Sequence, residues 1–248
     1  MSRILSRTAL ITGGSTGIGL RIARVLAKNG FNITITSRDI SKLANVINHK
    51  DFQNVTVIPI ELELRSKENI NKVIEKSIDE FGGLDVLVNN AATPLIKPAI
   101  NVSWDEWDVV MNANLKGSYF MSTLFANHCI TNKKNGSIIN ISSTHGLVGL
   151  AGRTVYGISK GGMIQMTRML AIEWAKDNIR VNTISPATVM TESRQKSLDH
   201  QARKNMLKRI PLGQFPEDVD VADAALFLVN SKNITGQNIA IDGGLTAI

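Results

Sequence analysis

The stretch TGGSTGIG (12–19) stands between TALIT (8–12), a short apolar run, and IGLRIARVLAKNG (18–30), whose apolar residues recur at helical spacing. Glycine clusters at a strand-to-helix junction answer a particular steric demand. Gly13 permits the sharp turn, Gly17 lets a ligand approach the backbone, and Gly19 lets the helix pack closely on the strand. The helix start then offers unpaired N–H groups and the positive end of its dipole to phosphate oxygens. Thr12, Gly13, Ser15, Gly17, Ile18 and Gly19 are therefore candidate contacts for a dinucleotide pyrophosphate. A plain tight turn is the competing reading, and three spaced glycines in this context weigh against it.

Outward from this turn, strand and helix patterns alternate to the end of the chain. NITITS (32–37), VTVIPIEL (55–62), DVLVNN (85–90), GSIINIS (136–142), RVNTIS (180–185) and NIAID (238–242) read as further strands. Pro59 is out of keeping with the middle of a central strand. Helical patterns fall between the strands, including a short one at 41–49 and others at 155–177 and about 218–229. Gly30 is placed as a helix stop, and Ser103 with Glu106 forms a capping box that opens a long helix. Strands separated by helices imply right-handed crossovers and a parallel sheet covered on both faces. No linker or repeat interrupts the pattern. The expectation is a single α/β domain over 1–248, doubly wound, with seven parallel strands flanked by helices.

Composition narrows the function classes. The net charge is +7 over 248 residues, but the lysines and arginines are scattered and not interleaved with aromatics, so nucleic acid is not expected as a partner. The single cysteine, Cys129, excludes an intramolecular disulfide, and it shares no metal-ligand spacing with His49, His128 or His200. No apolar run approaches the ~20 residues that span a bilayer. A soluble protein in a reducing, cytoplasmic setting fits.

The second strand ends in Ser37-Arg38-Asp39. An acid at the strand end would accept hydrogen bonds from an adenosine ribose and repel a 2′-phosphate. Here that position is the small, neutral Ser37, and the guanidinium of Arg38 can bind a phosphate through charge-assisted hydrogen bonds. NADP(H) is favoured over NAD(H). Asp39 argues the other way, because its carboxylate could pair with Arg38 or approach the ribose.

With TGGSTGIG come NNAA (89–92), MNANLKG (111–117), NISS (140–143), YGISK (156–160) and ITGQNIAIDGG (234–244). In this order and spacing they resemble the short-chain dehydrogenase/reductase family over essentially the whole chain, and so imply a Rossmann fold. The resemblance implies a catalytic tetrad of Asn114, Ser143, Tyr156 and Lys160, with Ser142 the competing serine. Tyr156 would exchange a proton with the substrate oxygen while hydride passes to or from the nicotinamide. Ser143 would hold that oxygen, Lys160 the nicotinamide ribose, and Asn114 a water leading to solvent. A free phenol has a pKa of ~10, about three units too high for this task, a gap of ~4 kcal/mol. An ammonium four residues away on the same helix face, aided by the positive nicotinium ring, would favour the phenolate.

By the same resemblance Asn89 and Ala91 would line the adenosine side, Glu63 would face the adenine, and Val189 and Thr191 the nicotinamide carboxamide. Alanine replaces the family's glycine at Ala92 and Ala187, a poor fit if either backbone needs a positive φ. Residues around 188–213 would form a substrate lid, and a homotetramer is implied. His145 is read as a loop residue, Trp104 and Trp107 as packing or subunit contacts, and Met163, Met166 and Met169 as core or interface.

The expected reaction interconverts a ketone and a secondary alcohol on a small molecule. The alternative is β-ketoacyl reduction on acyl carrier protein, with Lys133, Lys134 and Lys176 as a basic docking patch and Arg194, Arg203 and Lys204 nearby in sequence. A non-catalytic cofactor-binding regulator would be expected to have lost a tetrad residue, and all four are present.

Overall fold

The computed structural model describes residues 7–191, 194 and 199–247. Seven strands, β1 (Thr8–Ile11), β2 (Asn32–Ser37), β3 (Val57–Glu61), β4 (Val86–Asn89), β5 (Gly136–Ile141), β6 (Ile179–Pro186) and β7 (Asn238–Ile241), form one sheet in the order β3-β2-β1-β4-β5-β6-β7. Every pairing is parallel. The helices are α1 (Gly17–Lys28), α2 (Ser41–Ala44), α3 (Lys67–Phe81), α4 (Trp104–Met111), α5 (Gly117–Thr131), α6 (Thr154–Glu173), α7 (His200–Leu207) and α8 (Asp218–Asn230).

Strand side chains alternate between two apolar layers, as the period of two requires. Ala9, Ile11, Ile33, Ile35, Val86, Val88, Ile139 and Ile141 face α1 and α8. Leu10, Leu87, Ile138 and Val181 face α3, α5 and α6, where Val73, Phe125, Met163 and Leu170 cover them. Both faces are buried, so the strands read as nearly continuous apolar runs. Each fully buried Ile, Leu or Phe in these layers stabilises the fold by about 1.5–3 kcal/mol. Pro59 sits on β3, the edge strand, where a missing N–H is tolerated.

Two helices differ from expectation. The pattern at 41–49 yields only α2, followed by turns and a 3₁₀ turn at Lys50–Phe52. Asn48 donates to the Ala44 carbonyl (3.1 Å), a local bond that competes with helix continuation. The long helix opened by the Ser103–Glu106 capping box is interrupted by a π turn at Asn112–Lys116.

β1 lies between β2 and β4, and the chain leaves it on one side and returns on the other. This reversal opens a crevice at the carboxyl ends of β1 and β4, where ligands bind in doubly wound sheets. Among the described residues no helix is long and apolar enough to cross a membrane.

Candidate active site

A cleft of about 580 Å³ occupies that crevice, with Gly13, Ser15, Gly17, Ile18 and Gly19 on its floor. Gly13 and Gly17 have φ of +66° and +55°, which other residues adopt at a cost. A Cβ on Gly13 would stand 2.9 Å from the Ala91 Cα, and one on Gly19 would collide with the Asn90 side chain. Thr16, the residue before α1, makes no side-chain cap, and no acid stands in the first turn. The first N–H groups of α1 thus retain their capacity for an anion.

The ends of three strands are tied together beneath this turn. Thr12 Oγ1 accepts from the Asn90 and Ala91 amides (2.9 and 3.0 Å), and Asn90 Nδ2 donates to the Thr12 and Gly13 carbonyls, both 2.9 Å. The Gly14 amide donates to the Thr36 carbonyl (2.8 Å). Asn90, which lines the cleft, is an asparagine that sequence reasoning missed. Asn89 does not line the cleft; its Nδ2 donates to Ser122 Oγ and Asn140 Oδ1, both 2.9 Å, inside the core. Strand alternation holds the reason: neighbours in NNAA must point to opposite faces.

On the adenosine side Ser37, Arg38, Asp39, Lys42, Glu63 and Arg65 line the cleft. Asp39 does not pair with Arg38. Its carboxylate accepts from the Ser41 amide and hydroxyl (3.0 and 2.6 Å) and lies 3.8 Å from Lys42 Nζ. Those Ser41 bonds hold the Asp39 carboxyl below its usual range. Glu63 is gripped by Arg65 through two bonds of 3.0 and 2.9 Å, which lower its pKa. Arg38 has no ion pair among the described residues. The three cations and two engaged carboxylates, together with the glycine floor, fit a dinucleotide.

The tetrad residues gather beyond the carboxyl end of β5. The π turn carries Asn114, whose Oδ1 accepts from the Thr93 amide (2.7 Å) and whose Nδ2 donates to the Thr93 carbonyl (3.0 Å) and Ser159 Oγ (3.1 Å). Thr93 also lines the cleft, so it joins the two halves of the site. The two serines of NISS part company here. Ser142 Oγ donates to the Lys160 carbonyl (2.8 Å), whereas the Ser143 hydroxyl accepts from the His145 amide (3.2 Å) and is the serine that draws the Tyr156 pKa down. Lys160 is 1 % exposed, and its Nζ donates to the Ile141 carbonyl (2.7 Å), 5.8 Å from the Tyr156 ring centre. Burial lowers the lysine pKa to about 8.

The electrostatics of the phenol differ from the sequence argument. Burial pushes the Tyr156 pKa up; the Ser143 hydroxyl and then the charge of Arg153 pull it down. Lys160 Nζ stands 5.8 Å from the centre of the Tyr156 ring. Its ammonium is held at the Ile141 carbonyl and is itself disfavoured by burial. Arg153, the residue before α6, stands three residues before Tyr156.

Thr191 closes the cleft over the glycine turn, its Cγ2 3.0 Å from where a Gly17 Cβ would be. Val189 is not in the cleft but in the core beside α8. Ala92 lines the cleft, and neither Ala92 nor Ala187 has a positive φ, so both alanines are unstrained. The expected lid around 188–213 is described only in part, since 192–193 and 195–198 lie outside the described residues. Lys133, Lys134 and Lys176 precede β5 and β6, at the opposite end of the sheet from the tetrad. No cluster of metal-ligating side chains occurs among the described residues.

A family model described as enoyl-(acyl carrier protein) reductase matches residues 13–246. The chain is 38% identical over 247 residues to the 3-oxoacyl-(acyl-carrier-protein) reductase FabG of Thermotoga maritima, covering 98% of this chain and 99% of the relative. It is 34% identical over 247 residues to an NAD-dependent glycerol dehydrogenase of Listeria innocua, covering 98% and 95%. Among solved structures, a short-chain type dehydrogenase/reductase from Mycobacterium marinum superimposes with a TM-score of 0.92 at 26% identity, covering 98% and 97%.

Proposed function

The chain belongs to the short-chain dehydrogenase/reductase family of oxidoreductases, and on that premise we propose that it uses NADP(H) to interconvert a ketone and a secondary alcohol, with Tyr156 as general acid and base. One observation carries this reading: the Tyr156 ring centre lies 5.8 Å from the ammonium of a fully buried Lys160, and Ser143 draws the phenol's pKa down.

In the reducing direction the carbonyl carbon gains a hydride and the carbonyl oxygen a proton. A bound nicotinamide supplies the hydride and, in the reverse direction, accepts it. Ser143 donates a hydrogen bond to the carbonyl oxygen, which favours charge developing there. Tyr156 gives its proton to that oxygen as the alcohol forms, and takes it back in oxidation. The resulting phenolate is stabilised by the Ser143 hydroxyl and the Arg153 charge, the two influences that oppose burial at this phenol. Lys160 supports the site from below, and its pKa near 8 suits it to pass a proton near neutral pH. Asn114 holds the Thr93 backbone in register with the floor of the cleft.

The two relatives named above differ in printed substrate, and one is named for NAD. The choice of NADP(H) therefore rests on this chain's own adenosine pocket. Ser37 replaces an acid, Asp39 and Glu63 are engaged by their own neighbours, and Arg38 and Lys42 face the position a 2′-phosphate would take.

The 38% relative favours a second reading, β-ketoacyl reduction on acyl carrier protein. Docking on Lys133, Lys134 and Lys176 is not supported by their position, about 20 Å of strand away from the tetrad. Arg203 and Lys204 on α7 are the better candidates for that surface. The testing experiment is oxidation of NADPH and NADH with a β-ketoacyl thioester and a panel of small ketones, for wild type and Tyr156→Phe. We expect NADPH to be preferred, and the substitution to lower kcat by at least about 100-fold with cofactor binding intact. Turnover within a few-fold of wild type in Tyr156→Phe would remove the tyrosine from its role.

A further inference from the structure

We propose that a second ligand site lies at the amino ends of the strands, remote from the tetrad, and that it receives a small phosphate monoester with a hydroxyl-bearing body, a sugar or polyol phosphate. The site is a cleft of about 850 Å³, within the range of cavities that hold small molecules. It is bounded by the chain where it enters β1, β4, β5 and β6, and by the stretch that leaves α8 for β7. The nucleotide cleft sits at the carboxyl ends of the strands, and the two share no lining residue.

Charge is the first observation. Arg7, Lys134, Arg180 and Lys232 line the cleft against one carboxylate, Asp85. That carboxylate is already engaged. Its Oδ2 accepts from the Thr8 amide (2.8 Å) and hydroxyl (3.1 Å), and its Oδ1 lies 3.9 Å from Lys134 Nζ. Arg180 donates to the Leu228 (2.7 Å) and Val229 (2.9 Å) carbonyls in the last turn of α8, so the helix dipole accounts for one cation. Arg7 donates to Asn230 Oδ1 (3.0 Å) and covers the Phe31 ring, 4.1 Å from its centre. Among the described residues neither Arg7 nor Lys232 forms an ion pair. Residues 1–6, outside the described residues, include Arg3 and no Asp or Glu.

The second observation is a hydroxyl. The register sets Ser137 beside Val86 on one side and Arg180 on the other, which puts the three side chains on one face of the sheet. All three line the cleft. Ser137 is 3% exposed, and its Oγ is buried without a hydrogen-bond partner. A buried hydroxyl ordinarily finds its partner within the protein. This one, beside a guanidinium, is left for a group that the protein does not supply.

The remaining lining selects the ligand. A phosphate monoester brings about two negative charges and three acceptor oxygens, which separate cations can share. Around the cations stand Asn135, Asn178, Asn230, Asn233 and Thr235, groups that both donate and accept as sugar hydroxyls do. Among the described residues no aromatic side chain lines the cleft, so a nucleobase would have no ring to stack on.

Isothermal titration and the thermal midpoint test this with glucose 6-phosphate and glycerol 3-phosphate against glucose, glycerol and inorganic phosphate. All are compared at one ionic strength, with NADPH present to fill the nucleotide cleft. We expect an ester to bind once per chain and raise the midpoint, and the neutral compounds to do neither. Arg7→Gln/Lys232→Gln should weaken that binding by about 10-fold or more. Lys133→Gln/Lys176→Gln removes equal charge from the same end of the sheet but outside the lining, and should leave binding unchanged. Ser137→Ala should raise the midpoint of the unliganded protein, by removing an unpaired buried hydroxyl, and shrink the shift that the ester gives. Lys232→Glu alone, at an exposed position, gives the same reading where loss of the Arg7 contact with Phe31 disturbs the fold. Absence of ester binding, equal loss in the two double variants, or inorganic phosphate binding as tightly as the esters overturns the proposal.

Discussion

Lys160 is the residue at which function and stability oppose each other most directly. An ammonium at 1 % exposure, holding a single carbonyl, is charged where water would hold it better. Its folded pKa of about 8 lies below the ordinary 10.5. Between those values the unfolded chain binds the proton and the folded chain does not, so stability rises with pH across that window. Below pH 8 the full cost of burying the charge applies, at most about 3 kcal/mol. Relative to Lys160→Met, the wild type should therefore gain up to ~3 kcal/mol in urea unfolding between pH 7 and pH 10. A difference that stays flat over that range would mean the ammonium is not desolvated. The pair in YGISK took on meaning only beside the other motifs, and the sequence argument looked to Lys160 to favour the phenolate. Which cation acts on Tyr156 depends on Arg153, and no local pattern singled out that side chain as the cation that acts.

Elements meet at this site through glycine. After β5 the chain packs against the turn of α6 that carries Lys160, and a Cβ on Gly146 would stand 2.7 Å from the Lys160 carbonyl carbon and 2.8 Å from its oxygen. These are backbone atoms that cannot swing aside. Gly146→Ala should therefore cost about 1–3 kcal/mol and lower turnover, by moving Ser143 away from Tyr156. Gly149→Ala, three residues away with nothing within 4 Å, is the control. Equal stability of the two variants by urea unfolding would show that the loop has slack. At this scale the sequence was most readable where one physical cause dominates. Short apolar runs bounded by turn residues placed all seven strands to within two residues, and the Ser103–Glu106 box opens α4 as expected. The π turn at Asn112–Lys116 left no such trace, because its residues are ordinary helix formers and the extra residue per turn comes from packing. Thr93, Ser159 and Asn90 escaped notice for a related reason. Thr93 meets Asn114 through its backbone amide, Ser159 through its hydroxyl, and the Asn90 side chain reaches the Thr12 carbonyl, contacts that only the fold brings together.

The whole molecule carries apolar surface that one copy does not cover. α5 has no Lys, Arg, Asp or Glu along its 15 residues, and its outer side shows Tyr119 at 41% and Phe120 at 47% exposure. On α6, Met163 and Met166 are buried, but Met169 is 61% and Ile172 81% exposed, and Trp104 at the start of α4 is 87% exposed. Large apolar side chains exposed on three helices in this way are the kind of surface an interface covers. α4, α5 and α6 follow one another around the tetrad, so a partner copy on these helices would also stiffen the π turn and the helix bearing Tyr156. We therefore expect a homotetramer in solution, with a mass by light scattering of four times the 27.0 kDa chain. Phe120→Asp with Ile172→Asp should place charge on this surface, yield smaller species and reduce turnover, although neither residue belongs to the tetrad. A wild-type mass of one chain would leave those helices without their proposed cover. A tetramer unmoved by both substitutions would shift the interface to another face.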